Sequence, residues 1–122
     1  MQVGYVVLYV GDADSCAEFW VDKLSAQILE SNEVGGHRII KVGFAGQATA
    51  LELVPKDLMK DNPDGLDLAT PSICFYVTNV DSEHQQLSNR GVTLAPIREH
   101  FGKKSFAFQD NENRWFAVME VA

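Results

Sequence analysis

The chain has 122 residues, 46% of them hydrophobic, which suits one domain with a core of its own. Its formal net charge of -7 argues against nucleic acid as the main partner and against an anionic membrane surface. No apolar run is long enough for a transmembrane helix.

Val3 to Val10 (VGYVVLYV) is rich in β-branched and aromatic residues and is closed by Gly11-Asp12, which predicts a strand. Alternation puts Val6, Leu8 and Val10 on one face and Tyr5, Val7 and Tyr9 on the other. From Asp12 the period becomes helical. Asp12 and Asp14 are candidate N-caps, and Ser15 to Glu18 has capping-box spacing. Ala13, Cys16, Ala17, Trp20 and Leu24 share one helical face, predicting a helix to about Leu24 whose apolar side covers Val6, Leu8 and Val10. Phe19 and Trp20 are expected to pack between helix and sheet. Ala26 to Glu33 and His37 to Phe44 read as strands about the turn Gly35-Gly36. Gly46-Gln47 turns the chain into a fourth strand, Thr49 to Pro55, with Ala50, Glu52 and Val54 on one face and Leu51 and Leu53 on the other. A carboxylate in the middle of an apolar strand must face a cation, water or a cavity, so Glu52 poses the functional question.

Residues 55–71 are polar and turn-rich and read as a connecting loop. The acidic residues lack the glycine and distal glutamate offsets of a calcium loop. After Pro71 the first pattern returns: a strand Ser72 to Val77, a helix from Asp81-Ser82 to near Gly91, then strands Val92 to Ile97, Ser105 to Gln109 and Trp115 to Val121. Tyr9-Val10 matches Tyr76-Val77 and Asp14-Ser15 matches Asp81-Ser82 at one constant offset. A tandem βαβββ duplication accounts for this, with unit 1 at about 3–54, a linker at 55–71 and unit 2 at about 72–121. The N-terminus lacks the pattern of a secretory signal. Cys16 and Cys74 have neither metal-type nor redox-type spacing, so a reduced, cytoplasmic protein is expected.

Tyr9-Val10-Gly11-Asp12, Phe19-Trp20 with Lys23-Leu24, Leu51-Glu52-Leu53 and Asp110-Asn111-Glu112-Asn113, in this order and on a duplicated unit, resemble the vicinal-oxygen-chelate superfamily. That superfamily holds glyoxalase I, bleomycin-resistance proteins, fosfomycin-resistance enzymes and extradiol dioxygenases. The resemblance implies an α+β fold whose tandem βαβββ units curl into an open, mixed-sheet, barrel-like cavity with helices outside, often completed across a homodimer. It also implies four metal positions, here Tyr5, Glu52, Ser72 and Ala117, so only Glu52 keeps a usual ligand. Glu120 falls three residues from Ala117, on the opposite face of its strand. One carboxylate with a phenol and a serine is a poor zinc, nickel or iron site, which leaves no Lewis acid for glyoxalase or dioxygenase chemistry. No metal or other cofactor is therefore expected. His37, His84 and His100 are read as surface histidines, with recruitment of one to an unusual metal site as the alternative.

Alternation predicts a ligand cavity lined by Tyr5, Val7, Tyr9, Ala50, Glu52, Val54, Ser72, Cys74, Tyr76, Trp115, Ala117 and Met119. Aromatic faces around one carboxylate suit a small aromatic or cationic organic compound. Cys74 is read as a small buried hydrophobe and not a nucleophile. The favoured function is non-enzymatic sequestration, closest in character to the metal-free bleomycin-resistance branch, with antibiotic resistance as an implied role. The alternative is a small enzyme, such as a lyase, isomerase or dioxygenase-like catalyst, using an atypical metal site or Glu52 as general base with a tyrosine as acid.

Overall fold

A computed structural model describes residues 1–121 as an α+β fold of two helices and nine strands. The chain divides into two compact units at Pro71/Ser72, each with its own mixed sheet.

In unit 1 the strands β1 (Val6–Val10), β2 (Gln27–Val34), β3 (His37–Gly43) and β4 (Ala50–Pro55) are ordered β1-β4-β3-β2. β1 runs parallel to β4, with Val7 beside Glu52, and the other pairs are antiparallel. β1 starts later than its composition suggests. Val6 pairs with Leu51 and β4 begins at Ala50, so no partner strand reaches Val3 or Gly4. Gly35 and Gly36 adopt positive φ, as the tight β2–β3 turn requires. α1 (Ala13–Leu24) is capped by Asp12, whose carboxylate accepts from the Asp14 amide at 3.0 Å, and it ends at Ser25 in the left-handed region. Ala13, Cys16, Ala17 and Trp20 are buried, while Leu24 and Phe19 are half-buried. The helix packs chiefly over β3 and β4, whereas the sequence pointed to Val6, Leu8 and Val10 of β1, of which Leu8 and Val10 are buried on the same face of the sheet. The chain between α1 and β4 lays β3 beside β4 and β2 beyond it, and these centre the helix on the middle of the sheet. The polar connection is ordered: it opens with a 3-10 helix (Lys56–Met59), and Asn62 donates to the Leu66 carbonyl and accepts from its amide.

Unit 2 contains β5 (Cys74–Val77), α2 (Val80–Asn89), β6 (Thr93–Leu94), β7 (Arg98–His100), β8 (Lys103–Gln109) and β9 (Trp115–Glu120). The order is β5-β9-β8-β6, with β7 also on β8 and β5 parallel to β9. The expected strand Val92 to Ile97 is thus split. Pro96 has no N–H to give the ladder, and pairing resumes only at Arg98 opposite Ser105. His100 accordingly lies in a strand, opposite Lys103, and not in a loop.

The duplication is visible at the helix starts. Asn79 caps α2 as Asp12 caps α1, accepting from the Ser82 amide at 3.0 Å, so the helix begins one residue before Asp81. Glu120 adds a second cap, its Oε2 accepting from the Val80 amide at 3.0 Å. His84 is no simple surface residue: its ring sits edge-on to Phe106 at 4.9 Å between centroids, and Nε2 lies 3.0 Å from the Ala95 carbonyl oxygen. Phe75, Phe108 and Phe116 stack beneath the helix side of the sheet.

The β8–β9 turn is built on buried Asp110. Its Oδ1 accepts from the Glu112 and Arg114 amides at 2.9 and 2.8 Å, and its Oδ2 meets the Arg114 guanidinium at 3.1 Å. Burial opposes the Arg114 charge, but hydrogen bonds to Glu112 and Asp110 outweigh it and raise the guanidinium pKa. The exposed Lys104 ammonium is likewise held above its ordinary pKa by its hydrogen bond to Asp81 at 2.7 Å.

Candidate functional site

In unit 1, register decides which side chains share a face. Glu52 on β4 is flanked by Val7 on β1 and Lys41 on β3, and Lys41 is paired in turn with Glu30 on β2. This row lies opposite the α1 side, where Leu8, Leu53 and Ile40 are buried. Tyr9 and Val54 form the next pair of the ladder on the row's face. Ala50, beside Gly43, extends that face in the other direction. A Cβ at Gly43 would stand 2.8 Å from Leu29 Cδ1, so a larger residue there would make the exposed Leu29 side chain shift.

Lys41 answers what Glu52 faces. Its Nζ lies 3.7 Å from Glu52 Oε2, 3.4 Å from Glu30 Oε2 and 4.4 Å from the centroid of the Tyr5 ring. Tyr5 directly precedes β1, and this contact places its ring on the Glu52 side. Lys41 and Glu52 side chains are each 19% exposed, so the pair is well shielded from water.

Lys41 and Glu30 were missed by a reading that followed one strand at a time. The signal was present: Lys41 interrupts Ile39-Ile40-Lys41-Val42 just as Glu52 interrupts its own strand. An antiparallel hairpin through Gly46 sets the two opposite one another.

In unit 2 the pairs Cys74–Ala117 and Tyr76–Met119 alternate with Phe75–Val118 and Val77–Glu120. Cys74, Tyr76, Ala117, Met119 and Trp115 therefore share the face opposite the phenylalanine core, joined by Ala107 and Gln109 of β8. Tyr76 is 69% and Trp115 49% exposed, large values for aromatic rings on a sheet. Cys74 is exposed, contrary to the buried hydrophobe expected, because α2 packs on the opposite face of the sheet, where His84 meets Phe106. Ser72 also departs from expectation. It lies ahead of β5, outside the ladder, so alternation assigns it no face.

A separate polar cleft of about 270 Å³ lies at the start of α1, among Asp12, Asp14, His37, Arg38 and their neighbours. Of its three carboxylates, Asp12, Asp14 and Glu33, Asp14 is paired with Arg38, whose Nε lies 3.3 Å from Asp14 Oδ1. Arg38 also hydrogen-bonds Ser31 Oγ.

The family model described as the Glyoxalase/Bleomycin resistance protein/Dioxygenase superfamily matches residues 2–118. The chain belongs to this superfamily. It is 25% identical to the uncharacterized protein YetH of Bacillus subtilis (strain 168) over 121 residues, covering 98% of each chain. Among solved structures it is similar to a superfamily member from Sphaerobacter thermophilus DSM 20745, with a TM-score of 0.83, 21% identity and coverage of 99% and 98% of the two chains. It is also similar to TnmS3, an antibiotic binding protein from Streptomyces sp. CB03234, with a TM-score of 0.81, 17% identity and coverage of 100% and 97%.

Against the superfamily's metal positions, the side chains present do not fit a metal. Glu52 already faces an ammonium, Ala117 has no donor atom, and Ser72 lies outside its strand. Among the described residues, no group of three or more His, Cys, Asp and Glu side chains is placed to hold an ion. Also among the described residues, no helix is long and apolar enough to cross a membrane.

Proposed function

We propose that this protein is a non-enzymatic binding protein that sequesters a small aromatic organic compound, of the kind an antibiotic can present, in the cytoplasm and as a homodimer. The observation that carries the reading is the exposed aromatic face of unit 2, where Tyr76, Trp115 and Met119 stand on a sheet without a helix over them. Rings held on rigid strands offer stacking area at little entropic cost, and a planar ligand would cover surface that water now touches. Ser72, Cys74 and Ala117 are proposed as further ligand contacts on unit 2, and Tyr5, Val7, Tyr9 and Glu52 as a contact surface on unit 1. The antibiotic-binding description of TnmS3 supports the choice of ligand class.

The test is a titration with planar aromatic compounds, antibiotics included, followed by tryptophan fluorescence. Trp20 is fully buried, so a saturable change should come from Trp115. Trp115→Ala should weaken binding about ten-fold, and the ligand should be recovered chemically unchanged. Absence of binding across a broad set, or affinity indifferent to both Trp115→Ala and Tyr76→Ala, would sink the reading. Turnover of the bound compound would replace it with the enzymatic one.

A further inference from the structure

Two carboxylates and an aromatic ring converging on one point form the recognition chemistry of an ammonium ion. Tyr5, Glu30 and Glu52 make such a cage on unit 1, and the chain fills it itself. The Lys41 ammonium lies 3.7 and 3.4 Å from the two carboxylates and 4.4 Å from the ring centroid. We infer that Lys41 is a specificity-determining residue, a tethered cation that bars organic ammonium ions and metal cations from Glu52 and restricts the Glu52 face of unit 1 to uncharged ligands. This deepens the proposed function by naming the charge class of ligand that the unit 1 face admits, and it rests on that reading for a ligand being bound there at all.

The physical argument is one of occupancy. A free cation must give up translational freedom to enter the cage, whereas Lys41 is delivered by β3 at effectively high local concentration. It is held there by the register that places it between Glu52 and Glu30. A ligand cation would have to displace Lys41 to reach Glu52, because both side chains are only 19% exposed and Lys41 already stands against that carboxylate. A neutral ring meets no such opposition. Removing the ammonium while leaving Tyr5, Glu30 and Glu52 should turn the face from cation-excluding to cation-seeking.

The experiment compares the wild-type protein with Lys41→Met and with the double variant Lys41→Met/Glu52→Gln. The probe is n-butylammonium, which reproduces the lysine head and stem, with n-butanol as the neutral control. Calorimetry should show the single variant binding n-butylammonium about ten-fold or more tighter than wild type, with the gain lost in the double variant. Lys41→Ala gives a second readout that tolerates lost stability: n-butylammonium should raise its melting temperature and leave that of wild type unmoved. A wild-type protein that binds n-butylammonium as well as Lys41→Met does would overturn the inference, as would a failure of both variants to respond to the ion. A further pair, 1-naphthylmethylammonium and 1-naphthalenemethanol, separates the two claims. Wild type should prefer the alcohol and Lys41→Met the ammonium. If neither naphthyl compound binds any form, the aromatic-ligand reading fails, while the n-butylammonium result still decides the role of Lys41.

Discussion

Asp110 is the buried charged residue whose partners are most completely specified in this protein. Its carboxylate accepts from two backbone amides and from the Arg114 guanidinium, and together these hold the turn that aims Trp115. Asn113 in the same turn adopts φ 66°, a conformation asparagine tolerates better than most residues. Replacing Asp110 by Ala takes one carboxylate away from the shielded guanidinium and strands two amides. The expected cost is about 3 kcal/mol, read as a lower urea midpoint with an unchanged slope. A loss below about 1 kcal/mol would mean that strand pairing, and not the carboxylate, holds the turn. The turn was legible in the sequence as Asp-Asn-Glu-Asn. The guanidinium that closes it was not, because Arg114 reads as an ordinary charge ahead of a strand.

Among the elements, the hairpin from β7 to β8 shows where local chemistry and structure disagree. Its tip is Phe101-Gly102, and both residues have positive φ, at 53° and 76°. Glycine takes this at no steric cost, but phenylalanine has no side-chain hydrogen bond to offset it. Phe101 is also fully exposed, so burial does not compensate the strain. Phe101→Asn should therefore stabilise the protein, by about 0.5–1 kcal/mol, because Asn-Gly is the preferred pair for such a turn. Thermal unfolding checks this, and a lower melting temperature would show that Phe101 makes a contact the isolated chain does not reveal. The same hairpin explains the sequence's largest error in element placement. Val92 to Ile97 has strand composition, and Pro96 divides it by a rule that composition does not express.

For the whole molecule, the proposed homodimer predicts light scattering at about twice the 13.5 kDa chain mass. A monomer at micromolar concentration would count against a cavity shared between two copies, and would leave the Lys41 inference to stand by its own test. Much of the architecture was set by the sequence alone: the βαβββ duplication, the face of each main strand, the caps at Asp12 and near Asp81, and the glycine turn at 35–36. These arise from interactions between residues a few positions apart, so their cause lies within a short window of the chain. Tertiary structure alone decided that Glu52 meets Lys41 and Glu30, that α1 centres on β3 and β4, that His84 docks on Phe106, and that Cys74 is open to solvent. Each of these depends on the register of distant strands or on which sheet face a helix covers. Register is chosen by the packing of all the strands together, so no short stretch of sequence contains it.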